Sequence, residues 1–162
     1  LASAIKINPG YSKYYAKLSQ MFIIIGDDQE LSGLIEKNSL GFGEEDSFYE
    51  LARRNCIQAI LKEPTNAVFH QRLGSIYERL SQYSQAEEEF RKAVLLDPQN
   101  VTIHLYLCKY YNSQGKEADF LYHLDRVVEL YKRSLRGAGP VGYLTAMVGD
   151  YLRSINREEL IK

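Results

Sequence analysis

Three histidines, two cysteines and one block of acids are the residues of this 162-residue chain whose types could do chemistry. His70 and His104 stand 34 residues apart, the same interval that separates Pro64 from Pro98. If that interval is a structural repeat, the two imidazoles occupy equivalent places and could in principle meet a metal ion. A zinc site needs three or four convergent ligands, so both are expected to be packing residues between helices. His123 has no evident partner in the sequence. Cys56 and Cys108 have neither the number for a disulfide framework nor metal-site spacing. They are expected to behave as small buried hydrophobes, since a reactive thiol needs an electropositive, partly exposed setting. Gly41-Phe42-Gly43 is no phosphate loop: it lacks the lysine-bearing motif and runs into Glu44-Glu45-Asp46, which repel phosphate. The acids lack the spacing of a calcium loop, and scattered Ser, His and Asp do not define a triad. The expectation is a chain that is not an enzyme, with no catalytic residues, no cofactor and no metal.

Charged residues make up 25% of the chain and hydrophobic ones 45%, as in ordinary globular proteins. A net charge of −1 gives no general attraction to nucleic acid or anionic membrane, and no nucleic-acid partner is expected. No apolar run approaches the roughly 18 residues of a membrane span, so direct membrane insertion of this segment is not expected. The chain starts at Leu1, without Met or a signal-peptide pattern, as an excised fragment or processed product would. The cysteines leave the compartment open. Asn100-Val101-Thr102 is a glycosylation sequon of a kind common by chance. Arg126, Lys132, Arg133 and Arg136 suit the negative end of a helix dipole.

The elements that position these residues read as helices. Only four prolines interrupt the chain, and helix formers are abundant. Between Ala67 and Pro98 lie Leu73, Gly74, Tyr77, Ala86, Phe90 and Ala93. Leu73 with Tyr77, and Ala86 with Phe90, are one helical turn apart and share a helix face. Gly74 and Ala86 are small enough for two antiparallel helices to approach closely. Ser84 followed by Glu87 predicts a capping box that starts the second helix, and Pro98 cannot continue it.

This spacing resembles the tetratricopeptide repeat, a 34-residue helix–turn–helix unit, in every marker residue but the first, where His70 stands for the usual tryptophan. The resemblance implies an all-α fold: an α-solenoid of antiparallel helix hairpins forming a right-handed superhelix. The whole chain, 1–162, is expected to be one array. Residues 1–9 are a partial second helix, 12–66 a repeat interrupted by an insertion, 67–100 the best match, 101–134 a degenerate copy, and 140–162 degenerate or capping helices. The copy at 101–134 keeps Leu107, Cys108, Tyr111, Leu124, Val127 and Leu130. It has Phe120 where alanine is usual, which predicts a splayed or differently packed hairpin. Val148, Gly149 and Leu152 echo the core motif in a shifted frame, and Asn156 with Glu159 resembles a further helix start.

The insertion is measured by Pro9 and Pro64, 55 residues apart, which is one repeat plus 21. It falls at about 27–46, between a helix carrying Leu18 and Phe22 and the Ser47…Glu50 capping box. Seven acids, Asp27, Asp28, Glu30, Glu36, Glu44, Glu45 and Asp46, face one Lys37. A solvated loop is expected, with a short helix around Leu31, Leu34 and Ile35 tucked against the array. A docking lobe for a basic partner, or a lid, is the sharper reading.

In this family the first helices of successive repeats line a groove that takes a protein segment. The resemblance places Lys13, Ala16, Gln20 and Ile23, then Val68, Gln71, Ser75 and Glu78, then Thr102, Leu105, Lys109 and Asn112 on that face. The expected partner-binding residues are Lys13, Gln20, Gln71, Ser75, Glu78, Leu105, Lys109 and Asn112. Neutral polar, apolar and a few charged groups suit an extended peptide or an amphipathic helix. Ala16, Gln20, Gln71, Ser75, Leu105 and Lys109 do not match the family's carboxylate clamp, and its asparagine ladder is absent. The expected function is a protein-interaction scaffold. One alternative is the soluble repeat appendage of a membrane glycopolymer (O-antigen) ligase or polymerase, because Ala86-Glu87-Glu88-Glu89-Phe90 and Leu96-Asp97-Pro98 are similar to bacterial repeat arrays of that kind. Another is a self-association module, a homo-oligomer formed through an exposed apolar edge.

Overall fold

A computed structural model describes residues 11–35, 47–135 and 141–156. Among these the chain is all helix, in eight segments with no strand: α1 Ser12–Asp27, α2 Gln29–Leu34, α3 Phe48–Lys62, α4 Ala67–Arg79, α5 Tyr83–Leu96, α6 Val101–Ser113, α7 Glu117–Leu135 and α8 Val141–Ser154. The all-α, hairpin-built fold expected from the repeat pattern is what the chain adopts. The partial helix placed at 1–9, the acidic stretch 36–46 and Glu159 lie outside the described residues.

Side-chain caps set four of the helix starts. Ser47 accepts from the Glu50 amide at 3.1 Å, as the capping-box pattern predicts, and opens α3. Asn66 and Asn100, equivalent residues 34 apart, cap α4 and α6 through the amides of Val68 and Thr102. Asp28 caps α2 by accepting from Leu31 N–H at 2.9 Å. The start of α5 differs from expectation: the helix begins at Tyr83, so Ser84 lies within its first turn. What places that start is the end of the preceding helix. Ser81 adopts φ 59°, its N–H bonds Glu78 O at 2.9 Å, and Gln82 N–H bonds Tyr77 O at 2.8 Å. This is a Schellman ending, and it directs the chain into α5 two residues later. Gly115, at φ 66°, ends α6 the same way, with Lys116 N–H on Tyr111 O at 3.0 Å.

The chain divides at Leu96/Asp97 into two units. In the first, α1 pairs with α3 and α4 with α5, while α3 lies against α4. Phe22, Ile23 and Ile25 of α1 meet Phe48, Leu51, Ala52 and Cys56 of α3 and Leu73 and Ile76 of α4. Helix α2 belongs to the insertion and is the expected short helix against the array. With only six residues it offers one apolar face: Leu31 and Ile35 reach the core, and Leu34 is 80% exposed. The α4–α5 hairpin closes on Gly74, where an added β-carbon would sit 2.5 Å from the Phe90 ring. Ala86 and Ala93 are fully buried beside it.

In the second unit, α6, α7 and α8 share a core of Val101, Leu105, Cys108, Leu124, Val127, Leu130, Tyr131, Val148, Tyr151 and Leu152. Phe120 is half-buried at its edge, packed onto the core from outside, where the preceding repeat buries Ala86 completely. Cys56 and Cys108 are buried, and burial pushes both thiols up to about 12, which makes them inert packing groups.

Gly74→Ala should destabilise the protein, because the ring of Phe90 must shift; overpacking costs about 1–3 kcal/mol, only partly offset by the gain of roughly 1 kcal/mol in helix propensity. Urea unfolding should show the loss, and adding Phe90→Leu should recover part of it. Ser81→Gly should stabilise by about 0.5–1 kcal/mol and Gly115→Ala destabilise by about 1 kcal/mol, since both turns require a left-handed residue. Equal responses at the two positions would contradict the shared turn geometry.

Candidate protein-binding faces

Helices α1 and α4 lie side by side in the first unit because specific groups fasten them. Phe69 of α4 packs on Ala16 of α1, with Ala59 of α3 beneath. The Arg72 guanidinium donates through Nη1 to Ala16 O at 2.9 Å. At the other end Arg79 grips Asp27 with Nε and Nη2 at 2.7 and 2.8 Å, and the Tyr49 hydroxyl reaches Asp27 Oδ1 at 2.9 Å. The Arg79 hydrogen bonds hold the Asp27 carboxyl below the usual carboxylate range. Asp27, the first acid of the insertion, is therefore engaged with the array.

On this face Lys13 and Gln20 of α1 are exposed, and Gln71 and Glu78 of α4 are half-buried. Val68, at 43% exposure, adds an apolar group, and Arg72 lies half-buried, with burial lowering its pKa. Ser75 differs from expectation: it is buried, and its Oγ donates to Arg72 O at 2.8 Å within its own helix. Ala16 and Ile23 are likewise buried, beneath the face.

The second unit presents Thr102, Lys109 and Asn112 of α6 to solvent. Leu105 is not among them. It is 2% exposed and belongs to the core that α6 shares with α7 and α8, so it is covered by its own unit. Lys109 Nζ lies 5.7 Å from the Tyr151 ring centre, a cation–π contact that leaves the residue at the surface.

The histidines form an arrangement that sequence reasoning missed in part. His70 Nε2 lies 2.9 Å from Pro64 O and its Nδ1 2.7 Å from Glu89 Oε2. One repeat later, His104 Nε2 lies 3.1 Å from Pro98 O and its Nδ1 2.9 Å from His123 Nδ1. Each histidine thus ties its helix to the proline turn before it and to the second helix of its own hairpin. The signal was present: 70 and 89 are separated by 19, as are 104 and 123, and the pairs differ by one repeat. Among the described residues no group of three or more His, Cys, Asp or Glu is placed to hold a metal ion. No helix among them is long and apolar enough to cross a membrane.

Residues 67–100 match the family model of the tetratricopeptide repeat. A protein O-mannosyl-transferase of Caenorhabditis elegans is 34% identical over 55 residues, a stretch that is 34% of this chain and 8% of that protein. The chain therefore spans a small part of the length of that curated relative. The crystal structure of MamA superimposes with a TM-score of 0.52 at 14% identity, covering 99% of this chain and 77% of MamA. That likeness is one of fold. The match identifies residues 67–100 as a tetratricopeptide repeat, and the chain around that repeat shares the helical-hairpin fold of MamA.

Proposed function

We propose that the chain is a protein-interaction scaffold that binds a peptide or partner segment through the exposed faces of its first helices. Tetratricopeptide repeats generally mediate protein–protein interaction. The observation that carries the reading is the side-by-side placement of α1 and α4, with Lys13, Gln20, Gln71 and Glu78 around Arg72 and the exposed Val68. Polar groups spread along two adjacent helices suit main-chain hydrogen bonding to an extended segment, and Val68 offers an apolar contact. The peptide would be fixed by several modest contacts rather than by one deep pocket. Lys109 and Asn112 give the second unit its own exposed polar face on α6. In this reading the segment itself carries out no catalysis.

The test is affinity capture from native lysate with the full chain, its Lys13→Glu/Gln71→Ala variant, a Lys109→Glu variant and a chain lacking residues 36–46, which keeps Asp27, Leu31 and Ile35 in place. The double variant should lose its captured partner while its melting temperature stays close to the parent's, since surface changes of this kind cost about 0.5 kcal/mol or less. Full capture by the double variant with loss in the deletion would move the site to the insertion. Loss only in Lys109→Glu would move it to α6.

A second reading has one observation in its favour, the likeness to a sugar-transferring enzyme of which the matched stretch is a small part. There the array would be the partner-binding appendage of a larger glycosyl- or glycopolymer-transferring protein. A parent polypeptide with roughly ten apolar helices, each about 20 residues long, would support it, and a parent without them would exclude it.

A further inference from the structure

His104 and His123 face each other across the α6–α7 hairpin, both buried, with their Nδ1 atoms 2.9 Å apart. The protonation pattern follows from the neighbours. Pro98 O can only accept, so His104 Nε2 carries a hydrogen. In the neutral ring His104 Nδ1 is then bare and accepts, and His123 Nδ1–H donates to it. A first proton on His104 Nδ1 can still be shared, because His123 can carry its hydrogen on Nε2 and accept at Nδ1; a second proton on the pair sets two N–H groups against each other. A proton added to His123 would leave a charge on a ring 7% exposed and stacked on Tyr111 at 5.5 Å and 3°. The preceding repeat makes the comparison within the same molecule, because His70 Nδ1 there meets the Glu89 carboxylate, a group that only accepts.

We propose that the His104–His123 contact is an acid-released latch of the α6–α7 hairpin, closed while at least one ring is neutral and released when both are protonated. Around it Asp119, one turn before His123 on α7, and Asp97 favour the charged form. Arg126 opposes it, and Lys116 Nζ is engaged with the Tyr111 ring, 5.9 Å from its centre. Tyr111 and Tyr122 supply uncharged ring surface to His123. These opposing charges leave the cost of burying an imidazolium as the deciding factor.

Burial, with His104 as the second cause, holds His123 down at about 4, and burial also lowers His104. The unfolded chain, whose imidazoles titrate near about 6.5, therefore takes up protons before the folded one. The stability contributed by the latch is complete above about pH 6.5, falls as pH drops through the window down to about 4, and is absent below it. A gap of that size corresponds to a loss on the order of a hundredfold in the folding equilibrium constant.

The experiment follows the histidine ring resonances of the 162-residue chain by NMR from pH 8 to pH 4, alongside its melting temperature. It is repeated on His123→Glu, which reproduces the His70–Glu89 arrangement, and on Glu89→His, which transplants the ring pair into the earlier repeat. His123 should titrate far below the ordinary histidine range. His123→Glu should show a shallower loss of melting temperature between pH 6.5 and pH 4.5 than the parent, and Glu89→His a steeper one. His123 titrating at about 6.5, or equal acid slopes in the parent and the folded variants, would overturn the latch. If His123→Glu does not fold, the ring titration of the unaltered chain and the slope of Glu89→His decide the matter.

Discussion

The ring of Phe90 occupies the space that a side chain on Gly74 would fill, and this close approach governs how the α4–α5 hairpin is built. Two helices can come that near only if one supplies bare backbone and the other a flat ring, with alanines, Ala86 and Ala93, at the neighbouring contacts. Once they do, Leu73 and Ile76 are carried onto α3, and the hairpin becomes a wall of the core that Phe22, Ile23 and Ile25 complete from α1. A hairpin of this kind has too little apolar surface to be stable by itself. Its second face must be covered by a neighbour, which is the physical reason such units occur in series. The 101–134 copy reaches the same end by other means. Cys108 stands where Gly74 stands, Phe120 packs from the edge, and α8 joins the core of α6 and α7.

Polar groups fix the angles that apolar packing leaves free. His70 and His104 each reach back six residues to a proline carbonyl, a group that the end of the preceding helix leaves without an intrahelical donor. A tryptophan at this place could donate one hydrogen bond; an imidazole can make two, and the second ties the hairpin across to Glu89 or His123. At the junction with the insertion, Arg79 and Tyr49 converge on Asp27, so the end of α1 is fastened to α3 and α4. The acidic start of the insertion thus serves the array, whatever its later residues do.

Much of the fold was legible because it depends on local rules. Spacing placed Leu73, Tyr77, Ala86 and Phe90 on their buried faces, Ser47 announced the start of α3, and Gly115 marked a turn that is indeed a left-handed helix ending. The failures have a common cause in groups that act across elements. Ser84 looked like a cap, but the ending of α4 at Ser81 placed the helix start at Tyr83. Leu105 looked like a groove residue but lies in the core that α6 shares with α7 and α8, and Ser75 turned inward to bond its own helix. His123 looked unpartnered although its partner stood 19 residues earlier, at an interval already present in the first repeat.

By itself the sequence determined the class of structure, the hairpin unit and the helix ends. These follow from periodicity, from residues without side chains where helices touch, and from side chains that cap the nearest amides, all interactions that span a few residues or one repeat. Only the tertiary structure decided which members of the proposed face remain at the surface. Exposure depends on what packs above a residue, and for Leu105 that is the core α6 shares with two later helices, α7 and α8. The same holds for the partner each imidazole meets: two rings of equal composition, His70 and His104, face a carboxylate in one case and another ring in the other. That difference is set by which side chain the opposite helix places against the same nitrogen.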